Sequence, residues 1–315
     1  MHLLCLWASR KASEIFHLLT IHPPFVDDSA LRPLFLVLCS RLLHDARTPE
    51  VQEKESQVSD VVSFIEETAR KAGARAVELF GRVEAEPKGR SIVSRADREV
   101  ERIIIGEIRK TYPDDPVLAE ESGASGTVDI GPDTRWWAID PIDGTGPYLK
   151  GLPFWAVSVA CLRGTRVVAG VVHMPAMGQI FTAEATGTAM RNGAPLAQVS
   201  QGVPGDHDYL FVPCGEVAGL SHRYPGRFLA LASAACHICL TAAGSAFGTL
   251  MEPIRAYDFA AAALIYERAG GSVAYFSGAE IDYAALADGR RAPEPVLAAP
   301  AGQIDWLREC VFWEQ

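Results

Sequence analysis

Trp137-Ala138-Ile139-Asp140-Pro141-Ile142-Asp143-Gly144-Thr145 is the stretch that decides both fold and chemistry. The apolar run from Trp136 to Ile139 reads as a buried strand that passes directly into a pair of carboxylates, Asp140 and Asp143. Pro141 between them removes a backbone donor and fixes φ, so the chain turns sharply. That turn can aim Asp140, Asp143 and the carbonyl of Ile142 at one point. Gly144 lets backbone approach a ligand closely, and Thr145 supplies a hydroxyl. Carboxylates plus a carbonyl are hard oxygen ligands of the kind Mg2+ accepts. N–H groups beyond the turn suit a phosphate if they open a helix. A lone acidic turn is more often a solvated surface feature, so the surrounding chain has to decide.

Working outward, Leu118-Ala119-Glu120-Glu121-Ser122-Gly123 sets a second acidic pair at the end of another buried strand, Val117 to Ala119. Asp258 stands between Tyr257 and Phe259 where an Ala-rich helix begins, either as its N-cap or as a charge turned toward a site. Helical spacing of Val58, Val61, Val62, Ile65, Ala69, Ala72, Ala76, Val77 and Phe80 predicts a helix over 56–80, capped by Gly81. A second helix is expected to begin at Asp97 as N-cap and to end before Tyr112-Pro113. Phe154 to Leu162 and Val167 to His173 read as a hairpin around Arg163-Gly164-Thr165, and Asn192-Gly193 as another tight turn. The last third predicts strands at Tyr209–Val212, Ser272–Phe276 and Val296–Ala299. It predicts helices at Ala232–Ala243, Tyr257–Ala269 and Gln303–Phe312, with a further apolar helical stretch from Ala242 to Met251 ahead of Glu252. Sheets and helices therefore alternate in layers.

The chain has 315 residues, 49% hydrophobic and 22% charged, which excludes disordered, collagen-like and coiled-coil classes and leaves ample material for a core. Its net charge of −10 and the lack of a long Lys/Arg run argue against nucleic acid as a partner. No apolar run is long enough to span a membrane, and Arg10 and Lys11 follow the apolar start, the reverse of a secretory signal. Seven scattered cysteines fit a reduced, cytoplasmic protein. Cys236-His237-Ile238-Cys239 is half a zinc site, a redox pair or, within an apolar helix, a pair of buried structural cysteines; the last is the expectation. Residues 1–55 are rich in Pro and His and carry no long periodicity. They read as an extension, a partner-binding arm or a stretch translated from an upstream start.

The chain resembles the inositol monophosphatase family of Mg2+-dependent, lithium-sensitive phosphatases. The resemblance rests on Glu120-Glu121-Ser122, on Asp140 to Thr145, on Tyr257-Asp258-Phe259-Ala260-Ala261 leading to Gly270-Gly271, and on Gly151-Leu152-Pro153-Phe154-Trp155-Ala156-Val157-Ser158. It covers about residues 56–312. It implies a layered α-β-α-β-α sandwich over 56–315, with an α+β half at 56–195 and an α/β half at 196–315. Glu120, Asp140 and the Ile142 carbonyl would then hold one Mg2+, and Asp140, Asp143 and Asp258 a second, with Glu120 also reaching a third. Gly144 and Thr145 would bind phosphate, Thr145 with Glu121 or Glu120 would polarise the attacking water, and Glu252 would accept a sugar hydroxyl. Asp97 matches a family position near the lithium-sensitive loop. The chain departs from the pattern at Gly146-Pro147-Tyr148, at Tyr257 where a Trp is usual, and in the Glu252–Asp258 spacing. The implied substrate is a small phosphorylated metabolite. Inositol monophosphate comes first and histidinol phosphate is the alternative; a catalytically inactive binding relative is a third reading. A homodimer is the implied assembly.

Overall fold

The helical repeat of Val61, Ile65, Ala69, Ala72 and Ala76 forms the buried stripe of α1 (Pro49–Leu79) in the computed structural model, as the spacing predicts. The structure describes residues 49–88, 91–125, 129–214 and 220–313. Residues 1–48, most of the expected extension, lie outside the described residues. The compact unit Glu55–Gln315 carries every motif quoted above.

A short hairpin of β1 (Ala85–Lys88) and β2 (Ser91–Ser94) leads into α2 (Arg95–Thr111). The cap of α2 is Ser94, not Asp97. Asp97 sits three positions on, accepting from Ser94 N at 2.8 Å and Ser94 Oγ at 2.7 Å, while Ser94 Oγ accepts from Ala96 N at 3.1 Å. This is a capping box, which places its acidic member inside the first turn rather than at its edge.

Next come β3 (Val117–Ala119), β4 (Gly123–Ser125), β5 (Arg135–Asp143), the single turn α3 (Thr145–Leu149), β6 (Ala156–Arg163), β7 (Arg166–Met174), β8 (Gln179–Glu184), β9 (Met190–Arg191) and β10 (Ala194–Pro195). The strands form one sheet in the order β10-β9-β8-β7-β6-β5-β3-β4, with β6 and β7 as the expected hairpin. Trp137, Ile139, Val157, Val159 and Val171 pack with α1 and α2, while Trp136, Ala138, Ala160, Leu162 and Phe181 face the other way. A strand buried on both faces reads as an unbroken apolar run, which is why β5 was legible without alternation.

The second half holds β11 (Tyr209–Phe211), β12 (Leu220–His222), β13 (Arg227–Leu229), α4 (Ala234–Ala242), β14 (Gly248–Met251), α5 (Ala256–Arg268), β15 (Gly271–Tyr275), β16 (Val296–Pro300), α6 (Ile304–Cys310) and β17 (Val311–Trp313). A five-stranded sheet runs β13-β11-β14-β16-β15. Helices α4 and α5 lie between the two sheets, and α6 covers the far face through Leu307 against Leu210, Leu250 and Leu297. The layers are therefore α-β-α-β-α. Contact between α5 and β7 is close enough that a Cβ on Gly170 would lie 2.8 Å from the carbonyl oxygen of Ala261. The Ala-rich composition of α5 serves this approach. The expected helical stretch Ala242–Met251 is not one: α4 ends at Ala242, Gly244 turns at φ +82, and 248–251 is a buried strand. Cys236 and Cys239 are buried within α4, as expected of structural thiols.

Candidate active site

Strand β3 runs parallel to β5 with Val117 opposite Trp137, Leu118 opposite Ala138 and Ala119 opposite Ile139. Continuing that register brings Glu120 beside Asp140, and Glu120 N donates to Ile139 O at 3.1 Å. The pairing of β5 with β6 shifts between Asp140 and Asp143, so the Pro141 turn is a bulge that re-aims the chain at the end of the strand. Asp140 is only 2% exposed. It accepts from Ile142 N at 3.1 Å and shares a hydrogen bond with the Glu120 carboxyl. Gly144 follows at φ +94, where a Cβ would lie 2.7 Å from Phe154 O, so only glycine fits. The departure at Gly146-Pro147-Tyr148 forms the body of α3. Pro147 lies in its first turn, where no intrahelical N–H is lost, and Tyr148 is buried with its hydroxyl donating to Ala76 O at 2.7 Å.

Asp143 meets the start of α4. It accepts from Ser233 Oγ at 2.6 Å, Ala235 N at 2.6 Å and Ala234 N at 3.3 Å. Asp258 lies inside the first turn of α5 and accepts from Arg255 N at 2.6 Å; Arg255, not Asp258, is the N-cap. The Thr145 hydroxyl sits 3.2 Å from Asp97 Oδ1 and 3.3 Å from Ile142 O, so its partner is Asp97 rather than Glu120 or Glu121. Buried Glu101, which the sequence reading passed over, accepts from Glu121 N at 2.8 Å and Ser122 N at 2.9 Å. It thereby fixes the loop that carries Glu120. Its only local signal is its place four residues after Asp97, one turn along α2.

Burial, then the charges of Glu120, Asp143 and Asp258, drives the Asp140 carboxyl well above the usual carboxylate range. Asp143 is pushed up to about 6 by burial, against the hydrogen bonds from Ser233, Ala235 and Ala234. Burial chiefly pushes Asp258 up to about 8. The bond from Arg255 N opposes this, and the charges of Asp143 and Glu120 add to it. Four carboxylates from three segments thus share one neighbourhood.

Among the described residues no three Asp, Glu, His or Cys side chains close around a single point. Asp140, Asp143 and Asp258 are turned onto backbone N–H groups instead. The donor chemistry fits a hard cation nevertheless: all are oxygens, and the charges of Glu120, Asp143 and Asp258 crowd on Asp140. A cavity of about 790 Å³ opens beside them, lined among others by Glu120, Asp143, Glu252, Asp258, Arg255 and Arg291. Glu252 is exposed at its rim, directly after β14 rather than after a helix. Asp140 and Ile142 are buried in β5. Glu121 lies to the side, near enough to Arg98 to support that guanidinium's charge.

The inositol monophosphatase family model matches residues 57–300. The chain belongs to that family. It is 34% identical over 229 residues to a fructose-1,6-bisphosphatase/inositol-1-monophosphatase of Thermotoga maritima, covering 70% of this chain and 87% of that one. It is 33% identical over 240 residues to an inositol-1-monophosphatase of Mesorhizobium japonicum, covering 70% and 88%. A relative at 34% over 224 residues, the Nus factor SuhB of Escherichia coli, covers 67% and 83%. Among solved structures, a Thermotoga maritima IMPase superposes with a TM-score of 0.67 at 30% identity, over 79% of this chain and 95% of that one. The chain is a phosphoric monoester hydrolase of the inositol monophosphatase type, acting on a small phosphorylated substrate. Among the described residues no helix is long and apolar enough to cross a membrane.

Proposed function

We propose that the chain hydrolyses small phosphorylated polyols, with inositol monophosphate as the reference substrate and Mg2+ as the cofactor. The observation that carries the reading is the convergence of Glu120, Asp140, Asp143 and Asp258 beside a cavity, close enough that neighbouring charges raise Asp140 and Asp258. In this reading Glu120, Asp140 and the Ile142 carbonyl would hold one ion, and Asp140, Asp143 and Asp258 a second, with Glu120 also reaching a third. Such ions, when bound, lower the pKa of an attacking water and stabilise the departing alkoxide.

The chain's own residues do the rest. Gly144 and Thr145 offer backbone N–H groups to the phosphate at the opening of α3. Thr145 Oγ1 donates its proton to Asp97 or to Ile142 O, which leaves its lone pairs to accept from the attacking water. Asp97 therefore takes the supporting role expected of Glu121 or Glu120. Ser233 and Ala235 hold the Asp143 carboxylate in place from the start of α4. Glu252 stands at the cavity rim, where a polyol hydroxyl can donate to it. The names of the Thermotoga and Mesorhizobium relatives support the substrate.

The test is phosphate release from inositol 1-phosphate and from histidinol phosphate, with Mg2+ and with excess chelator. Turnover of inositol 1-phosphate that disappears on chelation is expected. Faster turnover of histidinol phosphate would reassign the substrate, and undiminished activity in chelator would remove the metal from the reading.

A further inference from the structure

The cavity beside the carboxylates is also lined by His237, one turn into α4. Its imidazole is buried and stacked on Phe211, with ring centroids 5.0 Å apart and planes 5° from parallel. Nε2 accepts from Leu231 N at 2.8 Å. A backbone N–H can only donate, so Nε2 carries no hydrogen. Burial keeps the ring neutral, with a pKa held to about 4. Its one hydrogen is therefore on Nδ1. Among the described residues Nδ1 has no hydrogen-bond partner, whereas His173 uses its own Nδ1 on Ala69 O at 3.0 Å. Trp155 Nε1 is unpartnered too, but it is sealed in the core; His237 Nδ1 is not sealed and opens on the cavity that the residue lines.

The direction of this N–H is fixed. The Phe211 stack sets the plane of the ring, and the bond from Leu231 N sets its rotation within that plane. Ala232, next in the chain, takes φ +61, a conformation costly for any side chain, so the loop that supplies the bond is held under strain. A buried donor recovers its desolvation cost only when an acceptor meets it. Glu252 lies at the same end of the cavity: Cys214 Sγ accepts from Ala232 N and is close enough to Glu252 to feel its charge. An ionised Glu252 can only accept, and His237 Nδ1 can only donate. A hydroxylated ring matches both, with one hydroxyl giving its hydrogen to Glu252 and another presenting its oxygen to His237.

We infer that His237 determines specificity, its Nδ1–H donating to an oxygen on the alcohol portion of the substrate. The inference rests on the phosphatase reading above, which seats the phosphate at the Gly144–Thr145 end of the site. An alcohol without an oxygen at that place leaves the donor unmatched and is disfavoured.

Kinetics of the full chain with Mg2+ test this. His237→Gln sets an amide oxygen near the Nε2 position, which keeps an acceptor for Leu231 N, and removes the donor at Nδ1. The variant should lose about three- to tenfold more kcat/KM on myo-inositol 1-phosphate than on phenyl phosphate, which has no hydroxyl to present. Monodeoxy analogues of inositol 1-phosphate then locate the contact. At one hydroxyl, deletion should cost the wild type about the same factor and cost His237→Gln nothing further, because the partner is already gone. Equal losses on both esters, or losses that multiply at every hydroxyl, overturn the inference and leave the phosphatase reading intact. Absence of turnover of any ester by the wild type sinks that reading instead. In that case, or if circular dichroism shows His237→Gln unfolded, nitrogen-15 histidine spectra of the wild type decide. With Mg2+ and inorganic phosphate present, added myo-inositol should shift the His237 Nδ1–H resonance beyond any shift caused by phosphate alone, and an unmoved resonance overturns the inference.

Discussion

Raising the pH should destabilise this protein in chelator but not in Mg2+, and Asp258 sets the size of the effect. Its carboxyl titrates at about 8 in the folded chain against 3.8 as the ordinary value. Between those limits the folded state binds a proton that the unfolded state has released, so stability falls as pH rises. Other groups complicate the lower part of the window. Asp143 titrates at about 6, and His237 is held to about 4 by burial against 6.5 ordinarily. Between pH 6.5 and 8 the Asp258 proton is the main difference these three shifts leave, and Asp140, also raised well above the carboxylate range, moves stability in the same direction. One proton over 1.5 pH units corresponds to about 2 kcal/mol, at roughly 1.4 kcal/mol per unit. For a domain of this size that is a fall in Tm of about 4–8 °C. A divalent cation reverses the sense, because it binds the ionised carboxylates and so gains affinity as they deprotonate. Scanning calorimetry at half-unit steps from pH 6.5 to 8, in chelator and in saturating Mg2+, measures both slopes. The stabilisation by Mg2+ should grow with pH by about the same 2 kcal/mol. Superimposable slopes with and without the ion would refute the placement of Asp258 in a cation site.

Three further outcomes are expected. Glu101→Gln removes a charge that receives two N–H groups, at a cost of about 1.5 kcal/mol or more in stability; because it positions the Glu120 loop, it should also raise the Mg2+ concentration for half-maximal turnover, and a stability loss with unchanged Mg2+ dependence would make it purely structural. His237 is buried, stacks on Phe211 at 5.0 Å and accepts from Leu231 N at 2.8 Å, so it must stay neutral. Lowering the pH from 6.5 to 5 should cost the wild type about 2 kcal/mol more than His237→Gln in urea denaturation, since only the unfolded imidazole takes up the proton there; parallel losses would refute this. Ala232 sits at φ +61, a left-handed conformation that glycine adopts freely. Ala232→Gly should therefore raise the unfolding free energy measured in urea by up to about 1 kcal/mol after the entropic cost of glycine, and a drop would show that the turn carries no strain.

What the sequence disclosed divides along one physical line. The Asp140–Thr145 turn was legible because its signals are local: an apolar run, a proline between two acids, a glycine that must take positive φ. The caps of α2 and α5 were local as well, but ambiguous. Ser94 and Asp97 belong to one capping box, and either can be read as the start of α2. Arg255 precedes Asp258 without looking like a cap at all. Ala242–Met251 failed for a different reason: a four-residue buried strand shows no period, so an apolar run after a helix reads as more helix until Gly244 is known to turn. None of these errors moved a candidate metal ligand. What lay out of reach were the groups that hold those ligands still. Thr145 is 48 positions from Asp97, and Asp143 is 90 from Ser233. Such pairs are created by α2 packing against β5 and by α4 meeting the end of that sheet, and no spacing in a single chain encodes them. A motif announces which atoms do chemistry because the turn that aims them is short. The partners that set their charge and direction come from the topology, so a sequence that retains every motif still leaves the strength of its site to be read from the fold.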